Sequence, residues 1–317
     1  MKKIIYYLLI PIVFITVGWF ANTAWHLPKG SNPIAKIKPR PLEKYSIENL
    51  SQSRFKPSEI KIEDEHLFSF IADNKKVTGC IDIPDGNGPF PVIVMFRGYV
   101  DQKEYKTCDG TKRAGEYFAK NGFITIAPDF LGYGGSDPEA GNIFESRFQT
   151  YTTALMLLNS VENLNNWDHK NLFIWGHSNG GQIALTVLEI TQKEYPTVLW
   201  APVSKPFPYS ILYYTDESDD RGKLIRRELA KFEEDYDVEK YSLVNYLDRI
   251  KAPLQLHQGT YDDAVPVAWS DELAESLLDL DINLDYYKYP GTDHNLNPSW
   301  NLAIARSLDF FNKNLTE

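Results

Sequence analysis

The run VIVMF, residues 92–96, has no polar position, and near-continuous apolar runs return in FITIAPDF (123–130), NLFIWG (171–176), TVLWAP (197–202) and APLQLHQG (252–259). Such runs suit strands covered on both faces, as in a parallel sheet. Between them the pattern changes to helical spacing, at residues 111–121, 144–164, 180–194, 269–280 and 300–312. In the helix after NLFIWG, Ile183, Val187 and Ile190 fall on one face. INLDYYKY (282–289) adds a further strand. Two earlier strands, KIEDEHLFSFIA and KKVTGCIDIP, meet at Asp73-Asn74, a hairpin signal. Strands alternating with helices predict an α/β fold, an open and mostly parallel sheet with helices on both faces and an antiparallel start.

Residues 203–251 break this alternation, because they separate two strands by far more than one crossover helix needs. Aromatic side chains come first (Phe207, Tyr209, Tyr213, Tyr214), then a helix over 221–232 with Ile225, Leu229 and Phe232 on one face. An insertion here is a candidate lid over the carboxyl ends of the strands, where open α/β sheets bind ligands. The plainer reading is that its aromatics build only a small core of their own.

The first segment differs from everything after it. Residues 4–25 carry no charge, follow Lys2 and Lys3, and are long enough to span a bilayer. Trp19, Phe20 and Trp25 suit an interfacial belt. The competing reading is a cleaved signal peptide. Asn22 sits where a cleavage site between Ala21 and Ala24 would want a small residue, which favours a retained anchor over residues 1–26. Lys2 and Lys3 argue for an extracytoplasmic catalytic part, although Lys29, Lys36, Lys38 and Arg40 pull the other way. Residues 27–59 read as a Pro- and Lys-rich tether, and 60–317 as the folded domain.

Composition is that of a globular protein, and 317 residues allow one large α/β domain. A net charge of −10 argues against a nucleic-acid partner. The two cysteines are Cys80, in mid-strand, and Cys108, at a helix start. Outside the cytosol the two could pair, but these positions are expected to keep them apart, so the unpaired state is the favoured expectation.

Gly176-His177-Ser178-Asn179-Gly180 stands between a strand and a helix and matches Gly-x-Ser-x-Gly. That pattern puts a serine on a sharp, strained turn, with small residues two positions away and a helix N-terminus beneath it. A serine hydroxyl needs a base, and the base needs an orienting acid. LQLHQGTYDDAVP offers Asp262 and Asp263 just after a strand, and local chemistry does not choose between them. YKYPGTDHNLN offers His294 after the next strand. The chain order serine, acid, histidine is the one this fold type uses. Among the other histidines, His26 and His66 precede the fold's active end, and His169 sits in a polar turn. His177 is expected to pack or hydrogen-bond locally, and His257 to be a satisfied core residue. Backbone N–H groups of Asn179 and of Tyr99, in the loop after VIVMF, are the candidate oxyanion donors. This chemistry calls for no metal and no organic cofactor.

Together FRGYVDQKEY, APDFLGYGGSD, GHSNGGQIAL, HQGTYDDAVP and YPGTDHN resemble the α/β-hydrolase superfamily, in particular its prolyl-oligopeptidase-like and bacterial esterase branch. The resemblance runs from about residue 60 to 315 and implies that Asp262, the first aspartate of the T-x-D-D-x-V loop, is the acid. In two respects the chain departs from that family. Arg97 stands where a histidine usually precedes the oxyanion-loop glycine, and residues 27–59 are too short for the propeller of the larger peptidases. The expectation is a membrane-tethered serine hydrolase of a small carboxylic ester. A short peptide or amide is the alternative, and a non-catalytic surface binding protein on the same fold is the second. If the N-terminal segment is cleaved, the product is secreted instead.

Overall fold

The computed structural model describes residues 38–215 and 218–316. The expected anchor (1–26) and residues 27–37 of the expected tether lie outside them. Among the described residues no helix is long and apolar enough to cross a membrane.

Nine strands form one sheet: β1 (Lys61–Ile62), β2 (Leu67–Ala72), β3 (Lys75–Asp82), β4 (Phe90–Phe96), β5 (Ile124–Pro128), β6 (Trp167–His177), β7 (Thr197–Trp200), β8 (Leu254–Gly259) and β9 (Leu284–Tyr289). Their spatial order is β1-β2-β3-β5-β4-β6-β7-β8-β9. The pairs from β1 to β5 through β2 and β3 are antiparallel, and the rest are parallel. Asp73 and Asn74 both take positive φ, 49° and 61°, as the expected two-residue hairpin requires. KIEDEHLFSFIA is not one strand but two, because the chain turns back at Glu63, whose N–H donates to Leu67 O. His169 lies within β6 rather than in a turn before it.

The continuous apolar runs fill both faces. In β4, Val92, Val94 and Phe96 enter one core, while Ile93 and Met95 enter the other. Leu172 and Ile174 of β6 and Leu199 of β7 follow the first set, and Phe173, Trp175, Val198 and Trp200 follow the second. The first core is closed by α3 (Ile143–Ser160), α4 (Asn179–Thr191) and α7 (Val267–Asp279). The second is closed by α2 (Lys112–Ala119) and α8 (Trp300–Lys313).

Two features differ from expectation. The compact unit begins at Pro41, not at residue 60. Leu42, Tyr45, Ile47 and Leu50 are buried in the first core, the last two on the short α1 (Ile47–Gln52). The Leu42 N–H donates to Tyr236 Oη (3.1 Å), and Tyr241 Oη donates to Leu42 O (3.1 Å). What looked like polar tether therefore carries enough apolar side chains to dock. The cysteines are also not apart: Cys80 and Cys108 form a disulfide, with Cα atoms 5.4 Å from each other. Cys80 sits on a strand near the antiparallel edge, and the loop after β4 folds back to meet it.

The insertion divides into two parts. Phe207, Phe232 and Tyr241 pack against Phe144 and Phe148 of α3, and Leu229 is buried in the same cluster, so these side chains join the main core rather than building a small one of the insertion's own. Leu229 and Phe232 belong to α6 (Lys223–Asp235), which follows the single-turn α5 (Tyr209–Leu212). The other part gathers around Trp269 of α7. Tyr213 and Tyr209 lie 4.7 and 6.0 Å from that ring, and both remain exposed.

Candidate active site

Ser178 stands between β6 and α4 with φ 55° and ψ −120°. That conformation is strained for a residue with a Cβ, and the surrounding backbone holds it. The Ser178 N–H donates to Trp200 O (2.9 Å), while Ser178 O accepts from Gly181 and Val203 (3.0 Å each). The two flanking glycines have different reasons. A Cβ on Gly176 would meet Gly180 O across the turn at 2.6 Å. One on Gly180 would run into Phe96 O at the end of β4, so that glycine exists for a neighbouring strand rather than for the turn itself. Ser178 is half-buried, and its hydroxyl makes no hydrogen bond among the described residues.

The acid and the histidine come together at the ends of β8 and β9. His294 Nδ1 lies 2.9 and 3.0 Å from the two Asp262 oxygens. Asp263 is not the partner. The Asp262 side chain is fully buried, and it also accepts from the backbone N–H groups of Ala264 (2.9 Å) and Val265 (2.7 Å) and from the Gln258 amide (2.8 Å). Burial pushes its carboxyl up, but the hydrogen bond and charge of His294, with the Val265 and Gln258 donors, more than offset it. The net position is below the ordinary carboxylate value, so Asp262 is an anion facing an Nδ1–H. Gly259 makes the meeting possible through close approach, not through turning: a Cβ there would collide with Thr292 O, and would reach Asp293 O at 2.6 Å.

His177 does more than pack locally. Its Nε2 lies 3.0 Å from His294 O, and the two rings are 4.7 Å apart. Burial, then the charge of His294, lowers its pKa to about 4, so it is neutral and donates to that carbonyl. His257 is the expected core histidine. Tyr289 Oη and Gln255 Oε1 satisfy its two nitrogens at 2.8 Å, and burial lowers its pKa to about 3.

On the other side of Ser178 lies the loop after β4. The amide N–H groups of Tyr99 and Asn179 have no acceptor among the described residues. The Tyr99 side chain is 74 % exposed, so it is not a packed pocket wall. Asn179 opens α4, where the helix dipole favours negative charge. Two supports left no trace in sequence patterning. Gln258 is one polar residue in a buried strand, and Trp269 is one aromatic on a helix face. Arg97 did leave one, as a charged residue directly after an apolar run. Among the described residues no group of His, Cys, Asp and Glu is placed to hold a metal ion.

Residues 112–317 match the model of the prolyl oligopeptidase family, and the chain belongs to that family. No curated protein is similar to it in sequence. An acetyl xylan esterase from Paenibacillus sp. R4 superposes with a TM-score of 0.62 at 18 % identity, over 83 % of this chain and 91 % of the esterase. Est1E from Butyrivibrio proteoclasticus, solved with ferulic acid, gives 0.58 at 16 % identity, over 77 % and 98 %. The acylaminoacyl peptidase of Pyrococcus horikoshii gives 0.60 at 18 % identity, over 83 % and 43 %. The chain thus spans about two fifths of that peptidase's length and nearly all of either esterase's. The fold is that of the α/β-hydrolases, and the protein is a serine hydrolase of the S9 type.

Proposed function

We propose that this member of the prolyl oligopeptidase family hydrolyses a small carboxylic ester through an acyl-enzyme on Ser178. The observation that carries the reading is the buried Asp262 holding His294 Nδ1, with His294 against His177, the residue before a serine on a strained strand-to-helix turn. Ser178 Oγ attacks the acyl carbon, and His294 Nε2 takes its proton. Asp262 keeps the imidazole in the tautomer with Nδ1 protonated and stabilises the imidazolium. The Tyr99 and Asn179 N–H groups receive the oxyanion. His294 then protonates the leaving alcohol, and water attacks the acyl-enzyme by the same route in reverse.

An ester substrate is supported by the near-complete span of the two esterases. Exposed Tyr209 and Tyr213 beside Trp269 favour an apolar acyl or aryl group, with the insertion governing access. Membership in a peptidase family supports the second reading, an exopeptidase or amidase using the same three residues. The membrane part of the proposal, an anchor in residues 1–26 with the catalytic unit outside, rests on the apolar run alone.

The test is fluorophosphonate labelling of the full-length chain beside Ser178→Ala. Label on the wild type alone is expected. Equal label on both, or none on a folded wild type, overturns the assignment. Panels of p-nitrophenyl esters and peptide p-nitroanilides then separate ester from amide cleavage.

A further inference from the structure

Arg97 is a buried arginine, 5 % exposed, directly before the glycine of the oxyanion-side loop. Its Nη1 donates to Gly98 O (2.9 Å) and its Nη2 to Asp129 O (3.0 Å). The guanidinium carbon lies 4.3 Å from the Tyr105 ring and 4.1 Å from the Tyr133 ring, and Phe130 stands at 5.8 Å. Nε has no acceptor. The cation is thus held by two backbone carbonyls and by aromatic faces.

Gly98 O and the Tyr99 N–H belong to one planar trans peptide, so they point in opposite directions. Pinning the carbonyl therefore aims the N–H. The exposed Tyr99 side chain offers no hold of its own, but the next carbonyl is also pinned, because Tyr133 Oη donates to Val100 O (3.2 Å). The ring of Tyr105 is fixed in turn by its hydroxyl on Asp129 Oδ1 (2.6 Å), while Thr107 and Thr78 occupy Oδ2 (3.0 and 2.5 Å).

We infer that Arg97 is a positioning residue, held in the corner made by the edge-to-face rings of Tyr105 and Tyr133, that directs the Tyr99 N–H at the developing oxyanion. This rests on the reading of Ser178 as the nucleophile. A planar fork that reaches two carbonyls at once while resting against aromatic rings is a task for arginine, and the single ammonium of lysine does not reproduce it.

The experiment uses the full-length chain with Arg97→Met, Arg97→Lys and Tyr133→Phe. The readouts are kcat and KM on p-nitrophenyl acetate, per active site titrated with fluorophosphonate, and the Ki of a trifluoromethyl ketone whose adduct carries an oxyanion. Removing a whole oxyanion donor costs about 10²–10³ in kcat. Misdirecting one is expected to cost roughly tenfold to hundredfold in Arg97→Met, with KM changed less than about threefold and the ketone weakened by the same factor as kcat. Arg97→Lys should fall between, and Tyr133→Phe should lose about threefold, because it keeps the ring and gives up only the Val100 hold. A merely structural role would lower the number of titratable sites or Tm and leave kcat per site and ketone affinity untouched. That result overturns the proposal. Should Arg97→Met fail to fold, Arg97→Lys and Tyr133→Phe decide the question. A wild type that neither labels nor turns over ester overturns the nucleophile reading and this one with it. An active wild type with unaffected variants overturns this one alone.

Discussion

The loop after β4 and the loop after β9 flank Ser178 and are fastened by different chemistry. The first, residues 97–111, is held by a stacked guanidinium, by hydroxyls converging on the buried Asp129, and by the Cys80–Cys108 bond. The second, residues 290–299, is held by hydrogen bonds: His294 to Asp262, His177 to His294 O, and the Tyr261 N–H to Thr292 O (2.9 Å). In the proposed roles their tasks differ in the same way. One must aim a backbone amide, which has no side-chain handle, so it is gripped rigidly through its carbonyl. The other must carry an imidazole through a gain and loss of a proton. Its hydrogen-bond partner is an anion, and a fixed cation beside that imidazole would disfavour the charged form.

The comparison can be broken hardest at Asp262. Asp262→Asn should lower kcat on a p-nitrophenyl ester by about 10⁴, with circular dichroism unchanged, because the amide orients the wrong tautomer. Next comes the covalent tie of the first loop. Replacing both cysteines by serine opens a link between residues 28 apart and should cost roughly 3–4 kcal/mol in guanidinium unfolding. Activity per folded molecule should stay within about threefold, since the Arg97 grip remains. A loss of activity as large as that of the Arg97 variants would show that the disulfide, not the guanidinium, sets the loop. A smaller effect sits where the first loop touches the serine. A Cβ on Gly98 would lie 3.1 Å from Ser178 Cβ, so Gly98→Ala should reduce kcat/KM about tenfold with little change in Tm.

The smallest effect sharpens the contrast through pH. His177 and His257 stay neutral in the fold to about 4 and about 3, while an unfolded histidine titrates near 6.5. Below about 6.5 the unfolded chain therefore binds protons that the folded chain refuses. Their contribution to stability is complete above that pH and is lost as pH falls towards 4. Tm should decline across this window, and less steeply in His257→Gln. Hydrogen exchange at pH 4.5 should rise in residues 290–299 before it rises in 97–111. A reductant at pH 7 should reverse that order.

Much of this architecture could be read from residue patterning. Strands β4, β5, β6, β7 and β8 lie where apolar runs predicted them, because strands covered on both faces of a parallel sheet are filled mostly by apolar residues. The serine turn was equally legible, and so was the succession of Ser178, one aspartate of the 262–263 pair and His294, since both depend on local spacing and succession along the chain. The helix over 221–232 appears as Lys223–Asp235, a shift within the ordinary fraying of helix ends.

Other features depend on which distant segments meet, and no local pattern encodes that. His177 and His294 are 117 positions apart, and Leu42 and Tyr236 are 194 apart. The parallel pairing from β6 to β9 puts their carboxyl ends on the same side of the sheet, and the loop after β4 reaches β3. Only that arrangement pairs Cys80 with Cys108, separates Asp262 from Asp263, turns residues 41–52 from tether into core, and divides the insertion between core and rim. Local sequence could place the reactive groups on their elements because periodicity and turn chemistry act over a few residues. It could not say what holds each group still, because a buried hydrogen bond or stacked cation is decided by whatever the closed sheet puts within about 3–4 Å.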